Sequence, residues 1–422
     1  MSGAEPRALF RALFKAAVAA ADPARTIARF LPPRPRGRTV VIGAGKAASE
    51  MARALETLWQ GPLEGVVVTR RGQGVATERI RVLHAAHPVP DEAGIAASRA
   101  LFGAVTGLTA NDLVIALISG GGSALLPAPA AGLTLADEIA VNQALLASGA
   151  PIAAMNTVRK HVSAIKGGRL ALAAFPARVV TLVVSDVPGD NPAFVASGPT
   201  VPDNASRDDA LGIVADWKLE MPDRVMAHLR SLAADAPSPD DARFADNVVH
   251  VVASAAMSLE AAAEAARSSG IEAVILSDSI EGEAREVGAL HAAIAREIAT
   301  RGRPFARPVL LLSGGETTVT LRGAGGRGGR NSEFLLSLAL GVDGIESIHA
   351  FAADTDGIDG TEDNAGAFAD WTSAARMRAA GCDPRSALMR NDAWSAFNAV
   401  GDLFAMGPTG TNVNDLRAVL VV

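Results

Sequence analysis

The chain has a single cysteine, Cys382, in 422 residues. It can form neither an internal disulfide nor a cysteine-based zinc site, and such usage fits a reducing cytoplasm. A basic excess is also missing. Lys and Arg number 39 against 45 Asp and Glu, a formal net charge of −6. Nothing there would neutralise a phosphate backbone, which argues against nucleic acid as a partner. No apolar run approaches the roughly 20 residues that cross a bilayer, and no signal-peptide cleavage pattern follows an apolar core, so no membrane partner is expected. The histidines show neither H-x-x-x-H nor H-E-x-x-H spacing, which leaves a zinc hydrolase without support. A G-x-S-x-G elbow is absent too, which disfavours an α/β-hydrolase.

What the chain does have is apolar residues, 49%, with only 20% charged. That composition buries sizeable cores, and the length suggests two or three domains. Glycine is abundant at 41 residues and unevenly spread. The acid-poor, Arg-containing N-terminus raises a transit peptide. However, Leu9, Phe10, Leu13, Phe14, Ala17 and Val18 follow helical spacing, with Pro6 before and Asp22-Pro23 after, so a first helix of the mature fold is the better reading.

Short β-rich runs alternate with longer Ala/Leu-rich stretches, the rhythm of an α/β protein with mostly parallel sheets. Expected strands in the first part are Thr39–Ile42, Gly65–Thr69, Asp112–Ile118 and Val179–Val184. Helices are expected from near Lys46 and over Thr134–Ala147, where Thr134 and Asp137 form a capping pair. From Val201 to Asn247 the chain carries nine aspartates and Pro237-Ser238-Pro239 but no convincing strand. A junction near its end divides the chain into domains 1–245 and 246–422. A second series then runs Val248–Ala253, Glu272–Leu276, Pro308–Leu312, Val319–Leu321, Ser347–Ala352 and Ala418–Val422. Ligands of open α/β sheets bind beyond the C-terminal strand ends, and two such rims facing each other would form an interdomain cleft.

Three glycine clusters and a pair of aspartate segments lie at those strand ends. Gly43-Ala44-Gly45-Lys46-Ala47-Ala48 fits a structural turn, a dinucleotide site or another anion site. It is not a Walker A loop. Lys46 tilts it towards function, while Arg70 and Arg71, in place of a ribose-binding acid, would suit NADP. Ser119-Gly120-Gly121-Gly122-Ser123 can form a nest of N–H donors around phosphate oxygens, against a plain flexible loop. Ser313-Gly314-Gly315-Glu316-Thr317, with the glycine-rich Gly323–Glu333 segment that includes Gly328, Gly329, Arg330 and Asn331, is the strongest anion signal, because Arg330 adds a planar, permanent charge. Ser185-Asp186-Val187-Pro188-Gly189-Asp190 and Asp354-Thr355-Asp356-Gly357-Ile358-Asp359-Gly360 offer carboxylates for Mg²⁺ or for a hydroxyl proton, with turn chemistry as the plainer reading. The second resembles half of an EF-hand loop, but position 365 is alanine where a glutamate would be needed. Asn156-Thr157-Val158-Arg159-Lys160-His161 could lay a basic helix face along an acidic ligand, with a solvated helix face as the plainer reading of the block by itself. Trp394 and Phe397 read as core rather than a stacking platform.

Taken in order, these blocks together with Lys166-Gly167-Gly168 and Ala196-Ser197-Gly198-Pro199-Thr200 resemble the class II glycerate kinase (glycerate 2-kinase) family, whose C-terminal part is called the MOFRL domain. The resemblance covers nearly the whole chain and implies two Rossmann-like α/β/α domains with an active-site cleft between them. It implies ATP-dependent phosphorylation of D-glycerate at the 2-hydroxyl to give 2-phosphoglycerate, with Mg²⁺, in the cytoplasm, and leaves a homodimer open. Lys46, Asp186 and Arg330 match catalytic positions. On this reading Gly43, Gly45, Ser119, Gly120, Gly121, Gly122, Ser123, Gly314, Gly315, Glu316, Gly328, Gly329 and Asn331 handle ATP phosphates, and Asp190 and Asp354 hold the metal. Asn191 stands where the family more often has an aspartate. Gly43–Ala48 with Arg70 and Arg71 makes an NADPH-dependent hydroxypyruvate reductase the alternative, a name that members of the family formerly carried, and a non-catalytic anion-binding protein is a third.

Overall fold

A computed structural model describes residues 4–321 and 325–422. The chain divides into two compact units. One is Pro23–Val252; the other joins the N-terminal stretch through Asp22 to Ala253–Val422.

The first unit is built on β1 (Thr39–Ala44), β2 (Glu64–Arg70), β3 (Ile80–Ala85), β4 (Leu113–Ser119), β5 (Arg178–Val184) and β6 (Val248–Ala253), in the order β3-β2-β1-β4-β5-β6. The strands β1 to β5 pair in parallel. This is the order of a doubly wound dinucleotide-binding fold. Alternate residues sort to opposite faces: Val40, Ile42 and Ala44 join Val114, Ala116 and Ile118 in one core, while Val41, Leu113, Ile115 and Leu117 are buried on the other side. Burial on both faces explains why these strands read as continuous apolar runs.

The second unit carries β7 (Glu272–Ser277), β8 (Gly282–Glu283), β9 (Val309–Ser313), β10 (Thr317–Thr318), β11 (Ile348–Asp354), β12 (Gly366–Asp370), β13 (Leu403–Phe404) and β14 (Asp415–Val421). Its main sheet runs β13-β12-β11-β14-β9-β7, with β8 and β10 as a separate pair. The α/β class holds, but the pairing direction differs from the parallel rhythm expected. Among the described residues of the main sheet only β7 and β9 pair in parallel, and β9, β14, β11, β12 and β13 follow one another antiparallel, while the separate pair β8 and β10 is parallel. The sheet is a middle layer between two cores. Val309, Leu311, Ala350, Val419 and Val421 face one core, and Leu310, Leu312, Phe351, Ala418 and Leu420 face the other.

Three expectations change. Val248–Ala253 closes the first sheet beside β5 instead of opening the second series, so the division falls near residue 252 rather than at 245. Val319–Leu321 is not a strand; the short pairing there is Thr317–Thr318 with β8. The helix Ala4–Ala20 belongs to the second unit, not to the first. Its Phe10, Leu13, Phe14 and Ala17 complete the core that holds Phe351, Phe368 and Phe404, with Phe14 edge-on to Phe404 at 5.3 Å and to Phe351 at 5.9 Å. The Thr134–Asp137 capping box forms as expected, at the start of Leu135–Ser148, and no helix among the described residues is long and apolar enough to cross a membrane.

Phe14 is 1% exposed, so Phe14→Ala should leave a cavity and destabilise the second unit by about 3–5 kcal/mol. Urea titration of wild type and variant measures this; a shift below about 1 kcal/mol would contradict the structural role of the helix.

Candidate active site

In the first unit, β1 and β4 are neighbours, and their following connections diverge to opposite sides of the sheet order. Such a reversal point opens a crevice at the C-terminal strand ends. Lys46 follows β1 there, and Ser119–Ser123 ends β4. The two loops are bonded to each other. The Lys46 N–H donates to the Gly120 carbonyl at 2.9 Å, and the Ala47 N–H donates to the Ser119 hydroxyl at 3.0 Å. Gly45 (φ +135°) permits the approach, since a Cβ there would lie 2.1 Å from Ser119 Oγ.

The backbone donors of these loops differ in a way the glycine patterns conceal. Gly45 N–H donates to Val68 O at 3.1 Å and Ala48 N–H to Gly45 O at 3.2 Å. With the Lys46 and Ala47 amides also engaged, the Gly43–Ala48 turn has no run of open N–H groups to offer a phosphate. Gly43 lies within β1, paired on both sides. The expectation that Gly43 and Gly45 bind phosphate directly is therefore replaced: they let β1 close against β4. The amides of Gly121, Gly122 and Ser123 donate to no backbone or side-chain acceptor among the described residues. They are the open donors of the site.

Asp186, just past β5, joins this nest. A Cβ on Gly120 would fall 1.9 Å from Asp186 Oδ2, so only glycine lets the carboxylate rest there. Asp190 lies further along the loop in left-handed backbone (φ 54°). A cavity of about 220 Å³ opens beside these groups, lined by His87, Gly121, Ser123, Asn156, Arg159 and Asp186 among others. Lys46 lies at its edge, its Cγ 3.2 Å from where a Gly121 Cβ would be. Burial, together with the charges of Lys46 and Arg70, pushes the His87 imidazole down to about 4, so this ring is neutral at pH 7.

The Asn156–His161 block departs most from its sequence reading. It lies on the helix Ile152–His161, and Asn156, Lys160 and His161 are 2%, 2% and 0% exposed. It packs inward because its polar groups find partners. Lys160 pairs with Asp203, and the His161 ring bonds the Thr157 carbonyl at 2.7 Å. Asn156 Oδ1 accepts from the Ser197 hydroxyl at 2.8 Å, Asn156 Nδ2 donates to Phe194 O at 3.0 Å, and Ser123 and Ser197 share a 2.8 Å bond. Ala196 and Ser197 are held at φ 54° and 59°, a left-handed conformation that costs a non-glycine residue about 1–3 kcal/mol and clusters at functional sites.

In the second unit, Arg330 starts the helix Arg330–Gly341. Its guanidinium contacts Asp415 at 2.8 Å, Glu316 at 2.8 Å and Asp354 at 2.6 Å. Burial opposes its charge, but these carboxylates together raise its pKa well above the ordinary value. Asp415 is also held by Arg417 at 2.5 Å. The two guanidiniums overcome burial and keep Asp415 low, whereas burial, with Asp356 and Asp415 nearby, lifts Asp354 well above the carboxylate range despite Arg330. Gly314 and Gly315 turn their carbonyls to Arg417, at 2.9 and 3.4 Å.

Two expectations are corrected here. The Asn331 and Ser332 amides, at the first turn of that helix, both donate to Asp359 at 2.9 Å, so the anion at Asn331 is the chain's own carboxylate. Asp354 is no open metal ligand: its Oδ2 is on Arg330 and its Oδ1 accepts from the Asp356 N–H at 3.0 Å. Among the described residues no group of three or more His, Cys, Asp or Glu is arranged to hold a metal. Gly328 and Gly329 precede the helix; Gly323 and Ala324 of the same segment lie outside the described residues. Trp394 carries the Arg327 guanidinium 3.4 Å from its ring centroid, while Phe397 is core as expected.

Residues 9–230 match the family model described as a domain of unknown function (DUF4147), and residues 309–415 match the MOFRL family. The glycerate 2-kinase of Pyrococcus horikoshii is 41% identical over 92% of this chain and 88% of its own. The chain belongs to the glycerate 2-kinase family. A crystal structure of glycerate kinase from Thermotoga maritima matches it with a TM-score of 0.87 at 38% identity, covering 99% of this chain and all of the other. A protein of Agrobacterium vitis that carries the provisional name hydroxypyruvate reductase is 52% identical over 98% of this chain and 94% of its own. Within this glycerate 2-kinase fold, sequence reading located Lys46, Asp186 and the 119–123 loop. It missed His87, Asn142 and the inward role of Asn156 and Arg159. The only signal for Asn156 and Arg159 was membership of the Asn156–His161 block, and His87 and Asn142 had none.

A histidine with a folded pKa below its unfolded value withdraws stability as pH falls from about 6.5 towards 4. The His87 ring should therefore remain unprotonated at pH 5.5 in an NMR titration, and a midpoint near 6.5 would refute this placement.

Proposed function

We propose that this chain transfers the γ-phosphoryl group of ATP to the 2-hydroxyl of D-glycerate, giving 2-phosphoglycerate and ADP. The observation that carries this reading is the meeting of Lys46, the open Gly121–Ser123 amides and Asp186 at the reversal point of the first sheet. Phosphoryl transfer asks a protein chiefly for positioning and charge neutralisation. The open amides receive phosphate oxygens, and Lys46 neutralises the transferring group. Asp186 orients the 2-hydroxyl and accepts its proton. In the second unit, Arg330 meets phosphate by exchanging Glu316, the partner whose side chain is 49% exposed, while Asp354 and Asp415 at 6% and 0% keep it in place.

Mg²⁺ takes hard oxygen ligands, usually one or two carboxylates with substrate phosphates and water. Asp190 fits that demand, since its carboxylate makes no hydrogen bond or ion pair among the described residues and Asp186 precedes it on the same loop. When bound, the ion would supply charge neutralisation on the phosphates. A dinucleotide reductase suits the strand order, but the first-turn amides that would cradle a pyrophosphate are engaged within the chain. With its lone cysteine, we place the enzyme in the cytoplasm.

Purified protein with D-glycerate and Mg-ATP should form 2-phosphoglycerate, and with hydroxypyruvate it should leave NADPH unconsumed. NADPH loss without phosphoglycerate would refute the reading. Lys46→Ala and Arg330→Ala should each lower kcat/KM by roughly 10²-fold or more, the scale for removing a group that stabilises transition-state charge. Gly120→Ala, which displaces the Asp186 carboxylate, should cost at least about tenfold in kcat; a wild-type kcat would show that this contact does not matter.

A further inference from the structure

Arg159 lines the 220 Å³ cavity, and its surroundings are unusual for a sheltered guanidinium. Its Nε donates to Asn142 Oδ1 at 2.8 Å, Nη1 reaches Asn156 Oδ1 at 3.5 Å, and Nη2 has only the Met155 sulfur at 4.0 Å. All three partners are neutral, and Arg159 makes no ion pair among the described residues. The acidic charge that acts on it is Glu138, which is already paired with buried Lys166. A sheltered cation without a counter-ion is costly, and here the cost is retained inside a cavity. The amides of Asn142 and Asn156 fix the plane of the guanidinium, and Asn156 is itself anchored by Ser197. Much of the Nη1 and Nη2 edge is left for a planar, bidentate anion. The cavity is smaller than the roughly 300–1,000 Å³ of sites for drug-sized ligands, so it suits a three-carbon acid and not a whole nucleotide.

We propose that Arg159, held by Asn142 and Asn156, binds the carboxylate of the hydroxy-acid substrate and sets the enzyme's preference for acids over neutral polyols. This rests on the kinase reading above and deepens it. It leaves Lys46 to the phosphoryl group and aims the 2-hydroxyl, one carbon from the carboxylate, at Asp186 on the same cavity wall. The assignment gives a role to the helix Ile152–His161 that charge neutralisation by Lys46 and Arg330 does not supply.

The test uses the full chain with Arg159→Met and Arg159→Lys. Truncating one partner of a sheltered charge pair should raise KM for D-glycerate roughly 10²-fold in Arg159→Met, with KM for ATP and kcat within a few-fold of wild type. The preference for D-glycerate over glycerol should fall by a similar factor. Arg159→Lys, which keeps charge without the fork, should fall between. In wild type, D-glycerate but not glycerol should slow modification of Arg159 by butanedione, mapped by mass spectrometry; this arm stands even if Arg159→Met fails to fold. An unchanged KM for D-glycerate, equal losses for D-glycerate and glycerol, or absence of protection would overturn the assignment while wild-type phosphoglycerate formation upholds the kinase reading. A wild type that forms no phosphoglycerate fails at the earlier step and removes the footing of both.

Discussion

The first unit depends on how closely β1 and β4 can approach at the point where the sheet order reverses. The contact is backbone to backbone: Lys46 N–H on Gly120 O, and Ala47 N–H on the hydroxyl that ends β4. The candidate groups Lys46, Asp186 and the Gly121–Ser123 amides are all referred to this junction. It sets the root of the Lys46 side chain, and it fixes Gly120 so that Asp186 can rest against a bare Cα. It also leaves the next three amides unengaged. A glycine pattern that resembles a dinucleotide fingerprint thus serves packing, and the unengaged amides sit one strand over.

The second unit solves a different problem. Its rim collects Glu316, Asp354 and Asp415 around Arg330, with Arg417 behind. Taking so many charges out of water is unfavourable unless each is paired and hydrogen-bonded. Here each of these carboxylates touches a guanidinium, and Asp359 serves the helix amides. Arg330 is therefore fixed to within hydrogen-bond tolerances before any ligand arrives. On the proposed reading only the exposed Glu316 leaves when Arg330 meets phosphate, so Asp354 and Asp415 keep the charge in place with little reorganisation.

Much of this was legible in the sequence, for reasons that differ by element. Strands buried on both faces, such as β1, β4 and β5, read as apolar runs. The edge strand β3 did not, because Arg81 and His84 point to solvent, and β12 (Gly-Ala-Phe-Ala-Asp) is too rich in small residues to look like a strand. The N-terminal helix was plain from its periodicity, but its partner was not, since Phe351 and Phe404 lie more than three hundred residues away in the chain. At the site, glycine clusters marked close approaches correctly without saying which amides remain open. The Asn156–His161 block looked solvated because charge on a helix usually is. Its burial depends on Asp203, Phe194 and Ser197, all from other elements.

The helix Ala4–Ala20 has a consequence for biosynthesis. It is made before the first unit, yet the core it completes includes β14, which is made after that unit, so one unit is inserted within the sequence of the other. At about 5–20 residues per second, the helix waits on the order of 20–80 s with Phe10, Leu13 and Phe14 unsheltered, while the whole first unit is synthesised and able to fold. Until β11 and β14 follow, the apolar stripe of this helix lacks the partners that bury it in the finished fold.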